Sequence, residues 1–178
     1  MRILPLRSRT TAGPRRRKRV GRLATDVPCL IRPAREADLP ALVALERIAF
    51  TDPWSRGDFA DCLRNGWPIY VAENGTTPLG YIVGRAVVDQ GEILNLGVML
   101  SARRRGIGTA LVRRLLEDFG RRGVVSAFLE VRESNLPAQQ LYESFGFAAV
   151  GRRPRYYQRP TEDAVVLRAA ISADTTSA

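Results

Sequence analysis

Three side chains able to bind or move protons lie close together in LEVRESNLPAQQLYESFGF, residues 129–147: the carboxylate of Glu130, the amide of Asn135 and the phenol of Tyr142. Ala127 to Val131 is apolar and β-prone except for Glu130, which predicts a strand carrying one carboxylate. Ser134-Asn135 followed by Pro137 reads as a helix start. Ala138, Leu141 and Phe145 then recur at helical spacing, and Gly146 stands where helices commonly stop. Asn135 and Tyr142 are separated by about two helical turns, so the spacing puts both on one face, beside the strand that carries Glu130. The chain has no histidine. Ser-His-Asp triads, Cys-His pairs and histidine zinc sites are thereby excluded. Proton transfer falls to Glu, Asp, Tyr, Cys, Lys or a terminal amine, and a carboxylate and a phenol converging on one point suit it.

A second stretch, NLGVMLSARRRGIGTALVRRLL at 95–116, could bind rather than react. A strand runs into Arg103-x-x-Gly106-x-Gly108, and a helix follows at once. Glycines let the backbone approach a ligand, and the first N–H groups of a helix are unpaired and partly positive. With the arginines in front, the pattern suits a diphosphate; the plainer alternative is a tight strand-to-helix turn. It is neither a Walker loop, lacking Gly-Lys-Ser/Thr, nor a dinucleotide fingerprint, since Leu111 replaces the third glycine.

The elements that must hold these groups read in a regular order. CLIRPA is a short strand, and ADLPALVALERIAF is an amphipathic helix with Asp38 placed to cap it. TDPWS is a loop, and Ser55 with Asp58 forms a capping box for the helix RGDFADCLRN. PIYVAE and LGYIVGRAVV are strands joined by the hairpin signal NGTTP. EILNLGVML is apolar on both faces except for Glu92 and Asn95, as at a sheet centre. Ile107 to Phe119 is a helix, with Leu111, Leu115 and Phe119 on one face. AAVGRRPRYYQ and AVVLRAAI are the last strands. The expected fold is α/β, a central mixed sheet flanked by helices in the order β-α-α-β-β-β-α-β-α-β-β.

Composition limits the rest. Of 178 residues, Cys29 and Cys62 form neither a metal spacing nor a disulfide framework and read as buried small hydrophobes. No metal is expected. No apolar run reaches the ~18 residues of a membrane span, so no membrane contact is expected. The net charge of +10 is local: residues 1–22 hold nine of the 28 basic residues and no acid. The remainder is nearly balanced, nineteen basic against eighteen acidic residues. We therefore divide the chain into a basic, disordered extension over 1–25, one domain over 26–172 and a disordered tail over 173–178. The extension is a solvated arm or the product of an upstream start codon, an arm touching RNA or the ribosome, or an organellar transit peptide. Arginine outnumbers lysine 27 to 1, which points to a GC-rich bacterial genome.

Together the two stretches resemble the GNAT (Gcn5-related N-acetyltransferase) superfamily, whose Arg/Gln-x-x-Gly-x-Gly/Ala loop grips the pyrophosphate of acetyl-CoA. FTDPWS, NLGV, RRRGIGTAL, LEVRESNLPAQQLYESFGF and YYQRPTEDAVVL follow the order and spacing of the bacterial ribosomal-protein-alanine N-acetyltransferases, over about residues 29–168. The resemblance implies acetyl-CoA as co-substrate, and the N-terminal alanine of a small-subunit ribosomal protein as acceptor. It implies pantetheine pairing at Leu96, Gly97 and Val98, and a diphosphate held by Arg104, Arg105, Gly106, Ile107, Gly108 and Thr109. Asn135 would also contact CoA, Glu130 would be the general base and Tyr142 the general acid. Met99-Leu100 depart from the Asp-Pro-like pair more usual after the strand. An α-amine of pKa about 8 must lose a proton before attacking a thioester, and the thiolate must gain one, so both roles are chemically required. Alternatives stay open: for Glu130 a structural pair with Arg132 or another arginine, for Tyr142 an ordinary half-buried aromatic. Trp54, Tyr156 and Tyr157 line the acceptor side or the core rim. The expected enzyme is a cytoplasmic monomer. Other readings are acetylation of other protein N-termini or a small amine, or a non-catalytic CoA-binding or RNA-associated module.

Overall fold

The computed structural model describes residues 29–171; the basic extension over 1–25 and the tail over 173–178 lie outside them. The strands are β1 (Leu30–Pro33), β2 (Ile69–Asn74), β3 (Thr77–Val87), β4 (Gln90–Val98), β5 (Ser126–Arg132), β6 (Ala148–Gln158) and β7 (Thr161–Ala170). The helices are α1 (Leu39–Ala49), α2 (Arg56–Arg64), α3 (Ile107–Arg121) and α4 (Leu136–Glu143). They follow the expected order. The seven strands form one sheet, β1-β2-β3-β4-β5-β7-β6, in which only β4 and β5 run parallel.

Alternation along β3 shows why both faces are covered. Tyr81 and Val83 point into a layer with α1 and α2, while Ile82 points into a second layer with α3 and α4. On α3, Leu111, Leu115 and Phe119 are wholly buried, each stabilising the fold by roughly 1.5–3 kcal/mol. The capping box of α2 forms as predicted: Asp58 N–H donates to Ser55 Oγ at 3.3 Å and Ser55 N–H to Asp58 Oδ2 at 2.6 Å.

Asp38 differs from its expected role. It precedes α1, but its carboxylate turns to the Arg32 guanidinium at 2.7 and 2.8 Å and to the Arg35 N–H. A charged fork outcompetes a neutral helix N–H for that carboxylate. Arg32 also binds Glu73 at 2.7 Å, so the triad ties the start of α1 to β1 and β2. No helix among the described residues is long and apolar enough to cross a membrane.

Candidate active site

The site begins where two strands part. β4 pairs with β5 from Gln90–Ser126 to Ile93–Leu129 and no further. The cause is a bulge in β4: against β3, Gly84 faces Ile93 and Val83 faces Asn95, so Leu94 is the extra residue. A bulge bends its strand and ends regular pairing. Beyond it, β4 keeps its β3 partners through Val98 but presents an open edge towards β5 over Leu96, Gly97 and Val98. An extended ligand bearing amides can pair with such an edge as a strand would.

Glycine is needed at two positions here, once for a close approach and once for its backbone conformation. A Cβ on Gly97 would lie 2.5 Å from the Tyr81 ring, so only glycine lets that ring cross β4. Gly106 caps α3 with φ +77, a left-handed conformation that costs glycine little. No side chain caps α3, and Arg103, Arg104 and Arg105 stand exposed before it. Arg103 Nε donates to the Val98 carbonyl at 3.2 Å, folding the loop back over the end of β4. Backbone N–H groups and arginines around an uncapped helix start suit a phosphate. Met99 and Leu100 lead into a short 3-10 turn over Leu100–Ala102, with Met99 N–H held by the Leu79 carbonyl.

On the other arm of the V, Glu130 lies past the last β4–β5 pair. Its side chain is 17% exposed and meets Arg153, on β6, at 3.2 Å; Arg153 is 58% exposed. Arg132 turns away from Glu130, to Glu162 and to the carbonyls of Arg159 and Pro160. Asn135 caps α4, its Oδ1 accepting the Ala138 N–H at 3.3 Å, and among the described residues its amide nitrogen has no hydrogen-bond partner. Tyr142 is buried, edge-on to Phe147 at 5.7 Å. Burial first, then neighbouring Tyr157, hold its phenol well above the ordinary value, so it keeps its proton.

Tyr157 links the two. Its hydroxyl donates to the Glu130 carbonyl at 3.4 Å, and it is the group next to Tyr142. Burial first, then Tyr156, push its phenol up to about 12. The β6 register slips between Arg153 and Tyr157, around Arg155 with φ +53, and this irregularity turns Tyr157 inward. Tyr156 remains outside, 46% exposed and edge-on to Tyr157. Trp54, half-buried on Phe59, sits in the α1–α2 loop, whose Thr51 hydroxyl donates to the Arg159 carbonyl at 2.6 Å. Loop and β6–β7 turn thus touch beside the site.

Residues 39–147 match the Acetyltransferase (GNAT) family. The chain belongs to that family. It is 39% identical to the N-alpha-acetyltransferase RimI of Mycobacterium tuberculosis, over 79% of this chain and 92% of the relative. It is 34% identical to the ribosomal protein bS18-alanine N-acetyltransferase of Escherichia coli, over 76% and 93%. The crystal structure of the E. coli ribosomal-protein-S18-alanine N-acetyltransferase superposes with TM-score 0.76 at 32% identity, covering 81% and 94%.

Within this acetyltransferase, Tyr157 adjoins both the Tyr142 phenol and the Glu130 carbonyl, while the Glu130 carboxylate itself turns to Arg153. A Cβ on Gly108 would lie 3.3 Å from Leu141 of α4, so the loop and the Tyr142 helix are neighbours. Sequence reasoning left open an arginine partner for Glu130 but named Arg132, whereas the partner is Arg153; it missed Glu46. The signal for Glu46 was present: a carboxylate adjoining Leu42 and Leu45 on the apolar stripe of α1.

Proposed function

We propose that this acetyltransferase moves acetyl from acetyl-CoA to the N-terminal amine, typically of alanine, of a small-subunit ribosomal protein. The observation that carries the reading is the V itself: β4 leaves β5 after Ile93, opening an edge opposite the strand that bears Glu130, and Tyr157 bridges that strand to the buried, protonated Tyr142. Relatives with that activity in their names, matched over most of both chains, support the acceptor. The Mycobacterium relative, named for N-alpha acetylation without a ribosomal acceptor, favours a second reading in which other protein N-termini are also accepted.

Acetyl-CoA supplies, when bound, an acetyl group on a thioester. Leu96, Gly97 and Val98 would pair with the pantetheine amides. Arg104, Arg105 and the backbone from Gly106 to Thr109 would hold the diphosphate, with the Asn135 amide nitrogen beside them. An α-amine of pKa about 8 arrives mostly protonated at neutral pH. Glu130 accepts its proton. The exposed Arg153 gives way to the incoming ammonium at little cost, because a pair with one largely solvated partner contributes about 0–1 kcal/mol. Tyr142 holds a proton for the departing sulfur, and Tyr157 orients the strand that presents Glu130.

Incubating the protein with acetyl-CoA and a panel of N-terminal peptides, read by mass spectrometry, tests the proposal. Acetylation of alanine-initiated peptides at the α-amine is expected. Tight CoA binding with no transfer to any α-amine would overturn it.

A further inference from the structure

One carboxylate lies inside the otherwise apolar layer between α1, α2 and the sheet. Glu46 is 1% exposed. Its Oε1 accepts the Trp54 backbone N–H at 3.0 Å and Asn95 Nδ2 at 2.9 Å, and its Oε2 accepts the Tyr81 hydroxyl. Each donor comes from a different element: the α1–α2 loop, β4 and β3. A buried charge is costly unless every lone pair is engaged, and two features of the fold serve to engage these.

The bulge at Leu94 turns Asn95 to this face, the same face against which Leu94 packs. Gly97 leaves room for the Tyr81 ring to cross β4. Glu46 itself occupies a buried position on the otherwise apolar stripe of α1. An all-apolar layer would pack without any of them. What the junction adds is a directional tie: it fixes the loop bearing Trp54 to β4 at the point where β4 leaves β5. The loop's other anchor is the Thr51 bond to the Arg159 carbonyl, which also accepts Arg132 Nη2 at 3.0 Å beside Tyr157. The loop therefore spans from the donor strand to the Glu130 side of the cleft.

We propose that Glu46 is a positioning residue for the transfer: it holds the Trp54 loop against the parted edge of β4, keeping the acceptor's approach in register with the donor cleft. The inference rests on the acetyl-transfer reading above. Glu46 touches no reacting atom, so its loss acts on the acceptor and spares the cofactor.

The test uses the full chain carrying Trp67→Phe, which leaves Trp54 as the only tryptophan. Glu46→Gln keeps the size and loses the charge; Tyr81→Phe keeps the ring and removes one donor. Acrylamide quenching of Trp54 reports the loop, steady-state kinetics report the peptide, and calorimetry reports acetyl-CoA. For Glu46→Gln we expect quenching to rise at least about twofold and peptide KM about tenfold, with kcat and acetyl-CoA affinity within about threefold, in line with losing hydrogen bonds to a charge. Tyr81→Phe shifts the same quantities less. Unchanged quenching in both variants, with only a lower melting temperature, would overturn the proposal, as would a loss shared equally by kcat and acetyl-CoA affinity. If the parent protein acetylates no peptide, the acetyl-transfer reading fails, and the Trp54 quenching still decides whether Glu46 holds the loop.

Discussion

At the residue scale, Glu130 and Tyr142 differ in what each must do with a proton. Glu130→Gln keeps size and hydrogen bonding but loses the base, so turnover should fall by about 10²–10⁴-fold with acetyl-CoA affinity little changed. Raising the pH should partly restore it, because more of the amine then arrives neutral; a pH–rate profile of the variant checks this. Tyr142→Phe should also lower turnover, but alkaline pH should not help, since the missing group is a donor. Its deficit should shrink with an acyl donor whose thiol leaves more easily. Burial keeps the Tyr142 phenol protonated in the native protein, which is the state a donor needs. Equal and pH-independent losses in both variants would assign the pair a purely positional part.

At the element scale, one extra residue in β4 has two consequences. The bulge at Leu94 ends the β4–β5 pairing, which opens the V, and it turns Asn95 toward Glu46. The loop between β4 and α3 forms the cofactor end. Gly106→Asp forces a β-carbon into a left-handed backbone and sets a carboxylate beside the phosphate site. Gly108→Asp crowds Leu141 and adds the same charge. Each should weaken acetyl-CoA binding by tenfold or more, about 1.4 kcal/mol, while circular dichroism stays native-like. Unchanged calorimetric affinity in both variants would place the phosphates elsewhere.

At the scale of the whole molecule, buried phenols tie stability to alkaline pH. Burial raises Tyr70, Tyr81, Tyr142 and Tyr157 above the ordinary value of 10.0. The folded chain then keeps protons that the unfolded chain releases. Their contribution is complete below pH 10.0 and is lost as pH rises toward the folded value, about 12 for Tyr157. Denaturant midpoints should fall over that window, and phenolate absorbance should appear together with unfolding. The basic extension belongs to the same scale. Every proposed site and positioning residue lies within 46–157, so deleting residues 1–25 should leave peptide turnover nearly unchanged. If the arm touches ribosomal RNA, its removal should instead weaken binding to ribosomal particles at low salt and flatten the salt dependence. A truncated protein that binds CoA but no longer acetylates peptides would show that the extension builds part of the site.

The order of elements, the parting into apolar faces and the two stretches that make the cleft were legible from residue type and spacing, because turns, caps and periodicity are local. The Arg103-x-x-Gly106-x-Gly108 loop and the α4 cap at Asn135 belong to that class. Asp38 did not follow its local signal, since Arg32, brought near by the fold, binds carboxylates more strongly than a helix start does. Arg153 could not be paired with Glu130 from sequence, because β7 lies between their strands and only sheet order brings them together. Tyr157 and Tyr156 look alike in sequence; the slipped register of β6 decides which one turns inward. Glu46 is the clearest case. Its partners stand 8, 35 and 49 residues away, and a buried charge acquires its meaning only from the donors that tertiary structure gathers around it.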